Sequence, residues 1–100
     1  MDNFILNFLW FNKNIAVSLN QKVGNKIIPL TEYFFWPQQD AWEEIQLFLN
    51  KENWVNADDS FSILNQITEV INYWEHEEKT STILSEIRSK FPSCVFLDAN

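Results

Sequence analysis

Leu30-Thr31-Glu32-Tyr33-Phe34-Phe35-Trp36-Pro37, followed by Asp40-Ala41-Trp42-Glu43, divides this chain in two. Before it the apolar residues recur with the period of strands. After it they recur with the period of helices. Five aromatics fall within ten residues, Tyr33 to Trp42. Aromatic rings are large when buried and costly when wet, so this segment reads as packing that links a sheet to the first helix. Residues 30–36 alone are ambiguous between a strand and an irregular packed segment. Pro37 ends the run, and Asp40 with Glu43 has the spacing of a helix capping box.

Upstream, Phe4-Ile5-Leu6-Asn7-Phe8-Leu9-Trp10-Phe11 reads as a strand apolar on both faces, of the kind that lies centrally in a sheet. Asn12-Lys13 supplies a turn. Ile15, Val17, Leu19 and Val23 then alternate with polar neighbours, the period of two of a half-buried strand. A hairpin over 4–23 follows. Gly24-Asn25 marks the next turn, and Ile27-Ile28 is a short run stopped by Pro29.

Downstream, Trp42, Ile45, Phe48 and Leu49 form one face of a helix expected over about 40–52. Trp54 is expected to plug the gap before the next helix. Asp58 or Asp59 is expected to cap that second helix. Its stripe is Phe61, Leu64, Ile67, Ile71 and Trp74, flanked by Ile63 and Val70. Its end, Glu75-His76-Glu77-Glu78, places acids beside the negative pole of the helix and is expected to fray or meet a cation. Ser81 or Thr82 is expected to cap a short third helix carrying Ile83, Leu84, Ile87 and Phe91, closed by Pro92. Cys94-Val95-Phe96-Leu97 reads as a last strand that could lie beside the first. The fold expected is α+β: an N-terminal β-hairpin plus a short C-terminal strand packed against three helices, in a single domain over 1–100.

One hundred residues suffice for one self-supporting core. One cysteine cannot build a disulfide framework and points to a reducing compartment. No apolar run approaches the roughly 20 residues of a membrane span, so no membrane partner is expected. No basic region precedes residues 4–11, and no Arg-rich transit peptide is seen, so the chain reads as made where it works or as a mature form. Twelve asparagines, with frequent Ile, Phe and Lys, hint at an AT-rich coding genome such as an organelle's.

The net charge is −7, unevenly spread. Residues 1–30 carry Lys13, Lys22 and Lys26 against Asp2. Residues 31–100 carry 13 acids against Lys51, Lys79, Arg88 and Lys90. A free-standing nucleic-acid binder usually has a basic excess, because phosphate contacts carry its affinity. RNA would therefore be met through the N-terminal third, with Lys13, Lys22 and Lys26 as the candidate rRNA contacts. The acidic remainder suits a basic protein or solvent.

No catalytic constellation emerges. His76 sits among acids at a helix end and reads as solvated. Cys94 lies in an apolar strand and reads as an inert small hydrophobe. One Cys and one His cannot make a zinc tetrad, one glycine makes no phosphate-cradling loop, and helix capping accounts for Asp58-Asp59. No metal, cofactor or small-molecule substrate is expected. The aromatics read chiefly as core, because Tyr33 to Trp36 lacks the Lys and Arg of a base-stacking platform. Four adjacent rings cannot all face one way, so Trp10, Tyr33 and Trp36 are the candidates for a protein interface.

Several of these motifs together resemble a known family. Asn7-Phe8-Leu9-Trp10, Lys13-Asn14-Ile15-Ala16, the stretch at 29–37, Asp40-Ala41-Trp42-Glu43, the run from Leu64 to Trp74 (Leu-Asn-Gln-Ile-Thr-Glu-Val-Ile-Asn-Tyr-Trp) and Lys90-Phe91-Pro92 are similar to the plastid-specific ribosomal protein three family. The likeness covers nearly the whole chain. It departs at Thr80-Ser81-Thr82-Ile83-Leu84, where a more acidic helix start is expected. The resemblance implies a structural constituent of the small (30S) subunit of a plastid-type ribosome, not an enzyme. It implies small-subunit ribosomal proteins and rRNA as partners, and the chloroplast stroma, or a cyanobacterial cytoplasm, as the location. The alternative is a soluble adaptor or regulator of translation that binds the small subunit transiently.

Overall fold

The computed structural model describes residues 3–52, 54–76 and 84–98. Strands β1 (Phe4–Trp10), β2 (Ile15–Val23), β3 (Lys26–Pro29) and β4 (Phe34–Trp36) come first. Helices α1 (Ala41–Lys51), α2 (Ala57–His76) and α3 (Leu84–Lys90) follow, and β5 (Val95–Asp98) ends the series. The class is α+β, as the sequence pattern implies. β1 and β2 form the antiparallel hairpin, with Leu6 opposite Leu19 and Phe8 opposite Val17. β5 returns to lie parallel to β1, Phe96 beside Phe8, so the strand that is apolar on both faces lies inside the sheet.

The sheet is larger than a hairpin with one added strand. β2 is nine residues long, and both β3 and β4 pair along its remaining edge. Lys26–Pro29 matches the second half of β2, and Phe34–Trp36 matches Ile15–Val17. The segment between them is tied by Thr31, whose Oγ1 accepts from Leu19 N at 3.0 Å while its own N–H donates to Leu19 O at 3.2 Å. The aromatic run is therefore strand where it meets Ile15–Val17, and irregular before that. Gly24 makes the β2–β3 turn at φ 61°, a conformation that costs glycine no Cβ clash.

α1 begins as the capping spacing implies: Asp40 Oδ1 accepts from Glu43 N at 3.0 Å. α2 does not begin at Asp58 or Asp59. Asn56 is its cap, with Oδ1 accepting from Asp59 N at 2.8 Å. The two aspartates fall in the first turn, where the positive helix pole favours them. The stripe of α2 is also rotated from the expected one. Ile63, Ile67, Val70, Ile71 and Trp74 are buried, Leu64 is half-buried, and Phe61 is 73 % exposed. Trp54 does not plug the interhelical gap. It is half exposed, with its ring stacked on Phe4 at 5.9 Å and its Nε1 donating to Glu52. Ile87 and Phe91 are buried as expected, whereas Ser81, Thr82 and Ile83 lie outside the described residues.

The core forms between one face of the sheet and the helices. Phe4, Leu6, Phe8 and Trp10 of β1, Ile15, Val17 and Leu19 of β2, and Phe96 of β5 meet the buried side chains of α1, α2 and α3. Phe8 and Phe96 stack at 5.3 Å, and Trp10 meets Phe96 edge-on at 6.1 Å. Fully burying a side chain such as Phe8 contributes about 2–3 kcal/mol. Arg88 fastens α3 to the sheet by donating to Phe96 O at 2.8 Å.

Candidate interaction surfaces

Among the described residues all buried helix side chains join the core on one face of the sheet, and no helix covers the other face. Alternation sends Ile5, Asn7 and Leu9 of β1 to that open face, together with Ala16, Ser18 and Asn20 of β2. Val95 and Leu97 of β5 join them, 40 % and 45 % exposed. Phe35 pairs with Ala16 and lies there too, and its ring meets Phe11 at 6.1 Å. Ala16 sits low between Leu9 and Phe35, and Asn20 between Ile5 and Pro29. These taller neighbours bury the small residues without a covering layer. The result is an apolar surface with an amide and hydroxyl strip, Asn7, Ser18 and Asn20, through its middle.

The three lysines named as rRNA contacts are all exposed, but they do not form one patch. Lys13 lies in the β1–β2 turn. Lys22 and Lys26 flank the β2–β3 turn, at the other end of β2. The seven steps from Ile15 to Lys22 span about 24 Å of strand. Lys22 is opposite Ile27 and Lys26 opposite Val23, so the two lysines leave the hairpin on opposite faces. Around them Val23, Ile27 and Ile28 are exposed. The hairpin end is thus a projecting arm that is both basic and apolar.

The three candidate interface aromatics separate. Trp10 is 5 % exposed and packs inside against Phe96, so it faces the core rather than a partner. Tyr33 is half-buried, just before β4. Trp36 is also half-buried, packed against the core, with Nε1 donating to Glu75 Oε2 at 3.4 Å. It lines a cleft of about 260 Å³ between the β4–α1 junction and α2, together with Asp40, Trp42, Thr68, Ile71, Asn72 and Glu75. A second cleft of similar volume lies between α1 and α2, lined by Trp42, Gln46, Phe61, Leu64, Asn65 and Thr68. Trp42 is held at the junction of the two by donating from Nε1 to Leu64 O at 3.2 Å, a carbonyl that also accepts from Thr68 Oγ1 at 3.0 Å.

Sequence reasoning missed Phe61 and the open-face set of Ile5, Leu9, Phe35, Val95 and Leu97. The apolar runs were visible, but nothing in them tells which face the helices will cover.

The two titratable candidates lie in different settings: His76 lines an open cleft with Glu69, Asn72, Tyr73, Lys90 and Phe91, and Cys94 is buried. His76 is exposed, and its Nδ1 donates to Asn72 O at 2.7 Å. Cys94 is buried, and burial pushes its thiol from 9.0 up to about 11, against a smaller lowering by its hydrogen bond with Ser93. Among the described residues no group of three His, Cys, Asp or Glu could hold a metal ion, and no helix is long and apolar enough to cross a membrane.

The fold is a small α+β unit with clefts rimmed by Asp40 and Glu75 on its helical side and an apolar sheet face with lysines near its ends. The model of the plastid and cyanobacterial ribosomal protein family (PSRP-3/Ycf65) matches residues 30–77. The chain is 53% identical over 97 residues to the small ribosomal subunit protein cS23 of Euglena granulata, covering 93% of each. It is 48% identical over 98 residues to that of Mesostigma viride, covering 98% of this chain and 79% of the relative. It is 40% identical over 92 residues to the probable small ribosomal subunit protein cS23 of Synechococcus sp. (strain JA-3-3Ab), covering 92% of each. The chain belongs to the plastid and cyanobacterial ribosomal protein family.

Proposed function

We propose that this protein is a structural constituent of the small subunit of a plastid-type ribosome, seated by contacts with rRNA and with neighbouring ribosomal proteins. Its likeness to small-subunit proteins along nearly the full length of the chain carries this reading. It works in the plastid stroma, or in the cytoplasm if the host is a cyanobacterium. Its role is non-catalytic. The exposed His76 and the buried Cys94 are the groups most often used for acid–base or nucleophilic work, and the cleft that His76 lines does not include Cys94 among the described residues.

The exposed lysines give rRNA two separate points of contact, Lys13 at one end of β2 and the Lys22–Lys26 arm at the other. Each phosphate contact adds a salt-sensitive increment, with a slope of roughly −0.7 to −0.9 in log K against log salt. The open sheet face supplies apolar area, which salt does not screen. Sedimentation of tagged protein through sucrose gradients in rising salt tests the proposal. The expected result is comigration with small subunits at low salt, at about one copy each, followed by release as salt rises. Recovery only in the free pool at low salt overturns the constituent reading. Comigration far below one copy per subunit favours the transient adaptor instead.

A further inference from the structure

The two clefts on the helical side share Trp42 and Thr68, and so form one trough along α2. From Phe61 to Glu75 it follows α2 for about 21 Å at 1.5 Å per residue. Resting on the ribosomal reading above, we propose that this trough seats an extended Arg- and Lys-rich segment of a neighbouring ribosomal protein.

Length, floor and charge all point to that occupant. About six or seven extended residues span the trough at 3.3 Å each. Its floor carries the half-buried rings of Trp36 and Trp42, the residue type that best attracts a guanidinium over its face. Phe61, 73 % exposed, stands at one end as an apolar anchor. The exposed carboxylates of Asp40 and Glu75 rim the other half, and Trp36 Nε1 ties Glu75 to the aromatic floor. Gln46, Asn65 and Asn72 offer amides to a peptide backbone. Among the described residues no Lys or Arg lines either cleft. Carboxylates without a cation repel phosphate and favour paired Arg, so the same trough selects a basic peptide over RNA.

The test titrates the full chain with the capped heptapeptide Arg-Leu-Arg-Ala-Arg-Leu-Arg at low salt, followed by tryptophan fluorescence and calorimetry. Saturable one-to-one binding is expected. The double variant Asp40→Asn, Glu75→Gln is expected to weaken it at least tenfold. Asn still caps α1, and Gln still accepts from Trp36, so the fold is kept. A control with the same charge loss elsewhere, Glu32→Gln with Glu86→Gln, is expected to change affinity less than twofold. Equal weakening by both pairs would show general charge attraction and overturn the inference, as would displacement of the peptide by decauridylate. If the peptide fails to bind while the chain still comigrates with small subunits, the trough proposal falls and the ribosomal reading stands. If the peptide binds but the chain stays in the free pool, the trough chemistry stands and the ribosomal reading falls.

Discussion

The open face of the sheet and the outer side of the helical layer solve different problems with the same kinds of residue. On the sheet, Ile5, Leu9, Val95 and Leu97 stand on a rigid, hydrogen-bonded floor, and the three lysines lie in or beside the turns at either end of β2. On the helices, apolar rings lie in a trough between elements, and the rim is acidic. Apolar area supplies affinity without much discrimination. Carboxylates beside aromatic rings supply discrimination by sign. A protein of this size can therefore touch two chemically opposite neighbours without either competing for the other's surface.

The strongest way to break this contrast is to compare residues on the two sides of one strand pair. Phe8→Ala, inside the core, is expected to lower unfolding free energy by about 3–5 kcal/mol in urea titrations. Leu97→Ser, on the open face, is expected to cost less than about 1 kcal/mol, because little area is lost from the folded interior. A large loss at Leu97 would mean that the open face is packed, and the contrast would fail.

On the helical side, Asn56→Ala is expected to cost about 1 kcal/mol through loss of the α2 cap. Asp58→Ala should remain within about 0.5 kcal/mol, since that residue only assists the first turn. The reverse order in thermal melts would restore the cap position expected from the sequence.

Lysine replacements sharpen the electrostatic half of the comparison. Lys22→Gln with Lys26→Gln should lower the salt concentration at which the protein leaves small subunits and flatten the salt slope by about 1–2. Lys13→Gln should act independently and by roughly half as much, because about 24 Å of strand separates the two points. Identical effects from all three single changes in any combination would argue for one diffuse basic field.

The smallest effect concerns neighbours that face opposite ways. Cys94 is buried, whereas Val95 is exposed. A disulfide reagent at pH 8 should modify Cys94 slowly in the native protein and at least tenfold faster at Val95→Cys in a Cys94→Ala background. Because the folded thiol ionises near 11 and the unfolded one near 9.0, folding stability should fall as pH rises between those values, and Cys94→Ala should remove that slope. Below pH 9 both states hold the proton, and the residue adds no pH dependence.

Much of this architecture was legible because local and global signals agreed. The period of two in Ile15 to Val23 marks β2, Asp40 with Glu43 marks the start of α1, and the two apolar faces of β1 match its place inside the sheet. The cap of α2 was obscured because Asn56, Asp58, Asp59 and Ser60 are all cap-forming types, and only the phase of the buried stripe distinguishes them. Phe61 follows the spacing of three and four, yet it lies about 120° around the helix from Ile67, outside the arc that the sheet can cover. Trp10 lies on the core side of β1; the strand is apolar on both faces, and alternation alone cannot say which face the helices take. The clefts were not legible at all. They arise where β4, α1 and α2 meet, and that meeting depends on packing rather than on any local pattern.

The parallel pairing of β5 with β1 has a consequence for synthesis. The first strand is made before every other described element, and its second neighbour is made after all of them. Chains emerge N-terminus first, so the β1–β2 hairpin can form while the other edge of β1 still shows unpaired N–H and C=O groups. The stack of Phe8 on Phe96 must wait for the same late strand. Nascent chains of this protein therefore carry an open, apolar sheet edge until β5 has been made, so a chain stalled before β5 differs from one that has passed it chiefly in its readiness to pair with the wrong strand.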